Sequence, residues 1–266
     1  MRIKSAVDMA KKTAEPRETQ RQETPEKNNR QENTFSYTRT KIIPVKDEDL
    51  LKNRVVTHDK SDARGIPFQM LRAKVLQEMR LNDWNSIAIS APTPGAGKSQ
   101  VTVNLAISIA QEVNQTVLIV DMDLRRPSIH KYFNIQPEFG VSDYIDHNVP
   151  IDQIMINPGI ERLVVMPSIK RTLNSSEQLS SPLIRDLTEE LKSKYSTRIV
   201  IFDLPPLLVT DDVMVFLPYV DCSLLVVESG KNTKKEIDDS VDLLKSKPLL
   251  GTVLNKELDL PKIYAY

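Results

Sequence analysis
The chain has 266 residues, with 36 basic and 36 acidic side chains and hence no net charge at neutral pH. That length accommodates one α/β domain plus an extension, and the balanced charge excludes a global attraction for nucleic acid or an anionic membrane. The single cysteine, Cys222, cannot form an intrachain disulfide, which fits a reducing compartment.

Residues 1–62 are rich in Lys, Arg, Glu, Gln, Asn and Thr, with few apolar positions apart from Ile42, Ile43 and Val45. Such a segment buries too little surface to offset its conformational entropy, so it is expected to be a disordered or linker extension. From Phe68 onward, Leu71, Val75 and Met79 recur at helical spacing, with Arg72, Lys74 and Arg80 on other faces; this predicts an amphipathic helix leading into the first strand. The stretch SIAISAPTPGAGKS (86–99) then reads as strand, Pro/Gly-rich turn and helix start. A turn of this kind aims several backbone N–H groups at one point, where the helix dipole also favours negative charge. We read it as a phosphate-binding loop. Pro94, Gly95, Ala96, Gly97, Lys98, Ser99 and Gln100 are its nucleotide-binding residues, Lys98 reaching the β- and γ-phosphates and Ser99 ligating Mg²⁺. The spacing GxxxxGK[ST] is met at Gly97, Lys98 and Ser99, while Pro92 stands at its first Gly position.

A helix is predicted over 101–113 and a doubly covered strand over 116–120, ending in Asp121 and Asp123, with Pro127 opening a short helix. Further strands are expected at 163–166, 198–202, 223–227 and 251–254, and helices at 182–194 and 234–246. This alternation specifies a three-layer, doubly wound and mostly parallel sheet, with ligands at the C-terminal strand ends. Two strands finish in acids: VLIVDMD gives Asp121 and Asp123, and IVIFDLPP gives Asp203. A carboxylate at the tip of a buried strand is costly unless paired, and Mg²⁺ on nucleotide phosphates is a natural partner. In this reading Ser99 and Asp203 hold the metal. Lys98, Asp121 and Asp123 are catalytic, the two acids orienting or deprotonating an acceptor hydroxyl, and Arg125 or Arg126 neutralises phosphate charge. Asn255-Lys256 begins like the guanine-reading NKxD, but Leu258 occupies its fourth position; Asn255 is placed near adenine instead. Cys222 lies in the apolar run CSLLVV and reads as a core residue.

The combination APTPGAGKS, VLIVDMDLRRPSIHKYF and IVIFDLPPLLVTDD resembles the Walker A, A′ and B motifs of bacterial tyrosine kinases of the CpsD/CapB type, within the P-loop NTPase superfamily. GVSDYI (140–145) and LNSSEQLSSP (173–182) also resemble family stretches, and the likeness spans roughly 68–254. It implies a ParA/MinD-like fold and an ATP- and Mg²⁺-dependent cytoplasmic kinase of capsule or exopolysaccharide production. Such a kinase phosphorylates tyrosines of its own tail in trans, within a ring-shaped homo-oligomer. No window approaches the roughly 20 apolar residues of a membrane span, so attachment at the inner membrane is expected through a transmembrane activator, a polysaccharide co-polymerase. Residues 63–256 then form the kinase domain, and 257–266 a flexible tail whose Tyr264 and Tyr266 are the phosphoacceptors. The sequence departs from the family at Ala96, where many relatives have Glu, and at Ile66 and Gln69, which replace two residues of the oligomer motif ExxRxxR and leave Arg72. Two other readings are a ParA/MinD-like ATPase switch, although Thr93 stands where that group has its signature Lys, and a nucleotide-binding regulator without kinase activity.

Overall fold
Runs of Val, Ile and Leu in this chain become strands covered on both faces. In the computed structural model, which describes residues 40–195 and 197–257, eight strands share one sheet. They are β1 (Lys41–Ile42), β2 (Ser86–Ser90), β3 (Thr116–Asp121), β4 (Ile156–Asn157), β5 (Leu163–Met166), β6 (Arg198–Asp203), β7 (Cys222–Glu228) and β8 (Leu249–Asn255), in the spatial order β1-β4-β5-β3-β6-β2-β7-β8. Every neighbouring pair is parallel except β4 with β5. The helices are α1 (Asp47–Lys52), α2 (Ile66–Leu81), α3 (Lys98–Ala110), α4 (Ile129–Tyr132), α5 (Val141–His147), α6 (Ile151–Ile154), α7 (Ser175–Leu179), α8 (Pro182–Ser193), α9 (Asp212–Phe216) and α10 (Lys234–Leu244).

One face of the sheet packs against α2 and α3 through Val75, Met79, Leu105 and Ile109. The other meets α8, α9 and α10 through Leu187, Leu191, Phe216 and Leu244, so the fold is the expected three-layer P-loop architecture. Cys222 is a buried core residue, its thiol pushed up to about 12 chiefly by burial. Arg72, the retained member of the oligomer motif, is bound within its own chain: its guanidinium donates to the Ser108 carbonyl at 3.0 Å and pairs with Glu112 at 3.2 Å.

Composition alone misjudged residues 40–62. β1 pairs with β4, Leu50 and Val55 are buried in the core, and the buried Asn104 side chain of α3 accepts the N–H groups of Val56 and Thr57 at 2.8 and 3.2 Å. A few well-placed apolar residues and one buried amide hold a segment that is polar on average. Residues 1–39 of the expected extension, and Tyr264 and Tyr266 of the tail, lie outside the described residues. Helix α3 begins at Lys98, three residues before its apolar periodicity, because the end of the loop supplies its first turn.

Candidate nucleotide site
The order of the sheet brings three chemically loaded strand ends together. β6 lies between β2 and β3, with Asp203 level with Asp121 on one side and Ile89 on the other. Beyond Ser90 the chain turns through residues 91–97 into α3. Gly95 and Gly97 have φ of +89° and +91°, a left-handed backbone that glycine adopts without strain. A Cβ on Gly97 would also lie 2.2 Å from Asn255 Nδ2. At the loop's entrance the carbonyls of Ala91 and Pro92 accept the N–H groups of Leu207 and Leu208 at 2.8 and 3.1 Å. The proline position is thereby fastened to the segment after β6.

Lys98 is the centre of the cluster. Its Nζ lies 2.9 Å from Asp123 Oδ2, 3.1 Å from Asp203 Oδ2 and 3.2 Å from Ser99 Oγ. Burial by itself disfavours the ammonium, but Asp203, Asp123 and Asp121 overcome this and hold its pKa above the usual lysine value. Ser99 Oγ donates to Asp203 Oδ2 at 2.5 Å and Thr102 Oγ1 to Asp203 Oδ1 at 3.3 Å. Burial still pushes the Asp203 carboxyl above its ordinary range, against the pull of Lys98 and Ser99. Asp121 is raised as well, to about 8, first by burial and then by the charge of Asp203. It accepts the N–H groups of Ser128 and Ile129 at 2.9 and 3.0 Å, and so fixes the turn into α4.

A cavity of about 250 Å³ opens over this cluster, bordered by Pro94, Gly95, Gly97, Lys98, Ser99 and Asp123, with Arg125, Arg126 and Tyr132 opposite. Asp121 lies beneath it and does not line it. Arg125 reaches the cavity while pairing with the buried Asp212 at 3.3 Å. Ala96 is buried, with its carbonyl accepting from Asn255 Nδ2 at 2.8 Å. Asn255 and Gln100 border a second groove and not this cavity. Of the expected site residues, therefore, Lys98, Ser99, Asp121, Asp123 and Asp203 converge, whereas Asn255 and Gln100 support the loop from behind.

Sequence reasoning missed a clasp on the outside of the loop. Asn232 Nδ2 donates to Thr93 Oγ1 at 2.8 Å, and Lys256 Nζ to the Gly95 carbonyl at 2.7 Å while pairing with Glu228 at 3.0 Å. Lys256 was legible only as half of the Asn255-Lys256 pair; Asn232 carried no local signal. Ser128, whose Oγ lies 3.0 Å from Ser99 Oγ, also went unnoticed.

The donors suit a hard cation that arrives with phosphates. No group of three or more His, Cys, Asp or Glu among the described residues has metal-holding geometry. The adjoining Ser99 hydroxyl and under-neutralised Asp203 carboxylate match Mg²⁺, which characteristically takes one or two protein oxygens and completes its shell with phosphate and water.

Comparisons with known proteins agree with this geometry. The ParA family model, described as NUBPL iron-transfer P-loop NTPase, matches residues 84–233. The chain is 34% identical to tyrosine-protein kinase YwqD of Bacillus subtilis over 185 residues, covering 68% of this chain and 76% of YwqD. It is also 34% identical over 154 residues to tyrosine-protein kinase ptk of Acinetobacter johnsonii, covering 58% of this chain but only 21% of that longer protein. Its structure superposes on the kinase domain of Escherichia coli tyrosine kinase ETK with a TM-score of 0.71 and 29% identity, covering 85% of this chain and 94% of that domain. With a P-loop fold, a lysine–carboxylate cluster on one rim and these relatives, the chain belongs to the bacterial tyrosine-protein kinase family of ParA-type P-loop NTPases.

Proposed function
We propose that this protein is an ATP- and Mg²⁺-dependent tyrosine autokinase of capsule or exopolysaccharide production. It modifies Tyr264 and Tyr266 of a second copy within a homo-oligomer, and it is activated and held at the inner membrane by a transmembrane polysaccharide co-polymerase. The observation that carries the reading is that Lys98 and Asp123 border one cavity at the N-terminus of α3 while the buried Asp203 pairs with Lys98 behind them. The family likeness supports it. No helix among the described residues is long and apolar enough to cross a membrane, which supports attachment through a partner.

In this reading the N–H groups of Gly95–Ser99 receive the phosphates and Lys98 follows the β- and γ-phosphate charge. Ser99 and Asp203 hold Mg²⁺, which when bound neutralises charge on the phosphate oxygens. Asp123, the acid that borders the cavity, orients the tyrosine hydroxyl and accepts its proton. The phenolic oxygen bonds to the γ-phosphorus, the bond to the β,γ-bridging oxygen breaks, and ADP leaves. Asp121, below the cavity, acts by fixing the turn that carries Asp123 and Ser128.

The test is mass spectrometry of the C-terminal peptide after incubating the full chain with the cytoplasmic end of its co-polymerase and Mg·ATP. Phosphate on Tyr264 or Tyr266, absent from Lys98→Met, is the expected result. ATP turnover with no modified tyrosine would replace this reading with an ATPase switch.

A further inference from the structure
A groove of about 680 Å³ lies apart from the phosphate cavity, between α2 and strand β8. Its walls carry Phe68, Met70 and Leu71 on the helix side and Val253 and Leu254 on the strand side, with the charged Arg54, Arg64 and Lys74 also lining it. Met70 is 62% and Leu254 57% exposed, one on each wall, so apolar surface is available for burial. Among the described residues, β8 is also the last strand of the sheet on this side. The Asn255 carbonyl accepts Ser229 N–H on the β7 side. Successive residues of a strand turn their backbone groups to opposite sides, so Thr252 and Leu254 aim theirs outward. An open edge beside an apolar groove takes an extended peptide as an added strand.

We infer that the occupant is this chain's own C-terminal segment, residues 258–266, folded back along β8. The chain leaves β8 through Glu257, which itself lines the groove. Just before it, Lys256 has φ of +59°, the left-handed backbone used in turns that reverse a strand. Its Nζ bonds to Gly95 and Glu228 hold it there. The segment LDLPKIYAY has nine residues, about 30 Å when extended, enough to run beside the seven-residue β8, about 23 Å long. On an added strand Leu258, Leu260, Tyr264 and Tyr266 share one face, which can cover the apolar side chains of the groove. Pro261, which has no N–H to donate, suits an outermost strand. Tethering gives the segment an effective concentration on the order of millimolar, so modest pairing is sufficient. Docked in this way, Tyr264 and Tyr266 are withheld from a neighbouring copy until the segment peels off. That consequence rests on the kinase reading; the docking does not.

Amide hydrogen exchange tests the docking without any reference to activity. The full chain is compared with a chain ending at Glu257 and with a Met70→Asp/Leu254→Asp variant, at two protein concentrations about tenfold apart. Unchanged binding of a fluorescent ATP analogue confirms that each is folded. The Thr252 and Leu254 amides are expected to exchange at least about tenfold more slowly in the full chain than in either variant, independently of concentration. Equal exchange in the full and shortened chains overturns the inference. So does protection that rises with concentration, which assigns the edge to a second copy, or protection that survives the shortening and disappears when residues 1–39 are removed.

Discussion
Two acidic clusters close opposite ends of the same sheet, and they are built in opposite ways. At the N-terminal end Asp221 accepts the N–H groups of Asn85 and Ser86 at 3.0 Å each, the Ser86 hydroxyl at 2.7 Å and the Lys192 ammonium at 2.7 Å. Burial opposes its charge, but these donors outweigh it and hold the carboxyl below the usual range. At the C-terminal end Asp121 and Asp203 also have donors, yet burial and the neighbouring acids raise both. The residue type is the same; the difference is that Asp121 and Asp203 are fully buried with other carboxylates beside them, whereas Asp221 keeps partial exposure and, among the described residues, has no acid against it. One cluster is a finished structural joint. The other gathers more negative charge than the protein neutralises, as a site for a cation-bearing ligand requires.

The sharpest way to separate the two clusters is to remove their lysines' work from catalysis. Lys98→Met is expected to lower tail phosphorylation by about 10²–10³-fold, read by quantitative phosphopeptide mass spectrometry, whereas Asp221→Asn leaves the rate of the folded protein within about twofold. Next in size is ligand linkage. Mg·ATP at about 100 times its Kd should stabilise the parent and the Asp221→Ala protein by about 2.7 kcal/mol. In thermal melts, EDTA or Asp203→Asn should abolish that gain; a gain retained by Asp203→Asn would remove Asp203 from the metal site. Asp221→Ala should itself cost about 2 kcal/mol in urea unfolding at neutral pH, because it strands donors at the base of β2. Asp203→Asn relieves a disfavoured charge and leaves Lys98 paired with Asp123, so it should cost less than Asp221→Ala, and equal losses would dissolve the contrast.

The two clusters also differ in expected pH dependence, measured in thermal melts without nucleotide or divalent ion. Burial, and then the charge of Asp203, push the Asp121 carboxyl from its ordinary range up to about 8. Its stabilising contribution is therefore complete below about pH 4 and is lost as pH rises towards about 8. Asp121→Asn should flatten that decline, gaining on the parent between about pH 5 and pH 8. Asp221, with a depressed pKa, acts in the opposite sense: its contribution is present above about pH 4 and is lost as pH falls through its lower folded value. A parent protein whose pH slope is unchanged by Asp121→Asn would show that this acid is neutralised in the fold.

The division between what could and could not be read from sequence follows the range of the interactions. β2, β3, β6 and β7 are continuous apolar runs ending in acids or in a glycine turn, and each announces itself within a few residues. Their convergence follows from parallel topology, since every parallel strand delivers its C-terminal end to one rim. The packed state of 40–62 was hidden because it depends on Asn104, some fifty positions away, and on isolated residues such as Leu50. Asn232 and Lys256 were hidden for the same reason: their partners in the loop are more than a hundred residues distant. Asp121 was recognised as a site acid, but only the structure distinguishes an acid beneath the cavity from one at its border.

Lys98 has a consequence for the order in which the pocket fills. Its ammonium is shared between Asp123 and Asp203, so a phosphate that draws it away exposes two buried anions to each other. On the proposed reading, a divalent ion entering in the same event would resolve that repulsion, so that nucleotide and metal would enter together. Titrations are expected to show ATP affinity climbing steeply with magnesium, and an affinity indifferent to the ion would mean that the lysine never leaves its carboxylates.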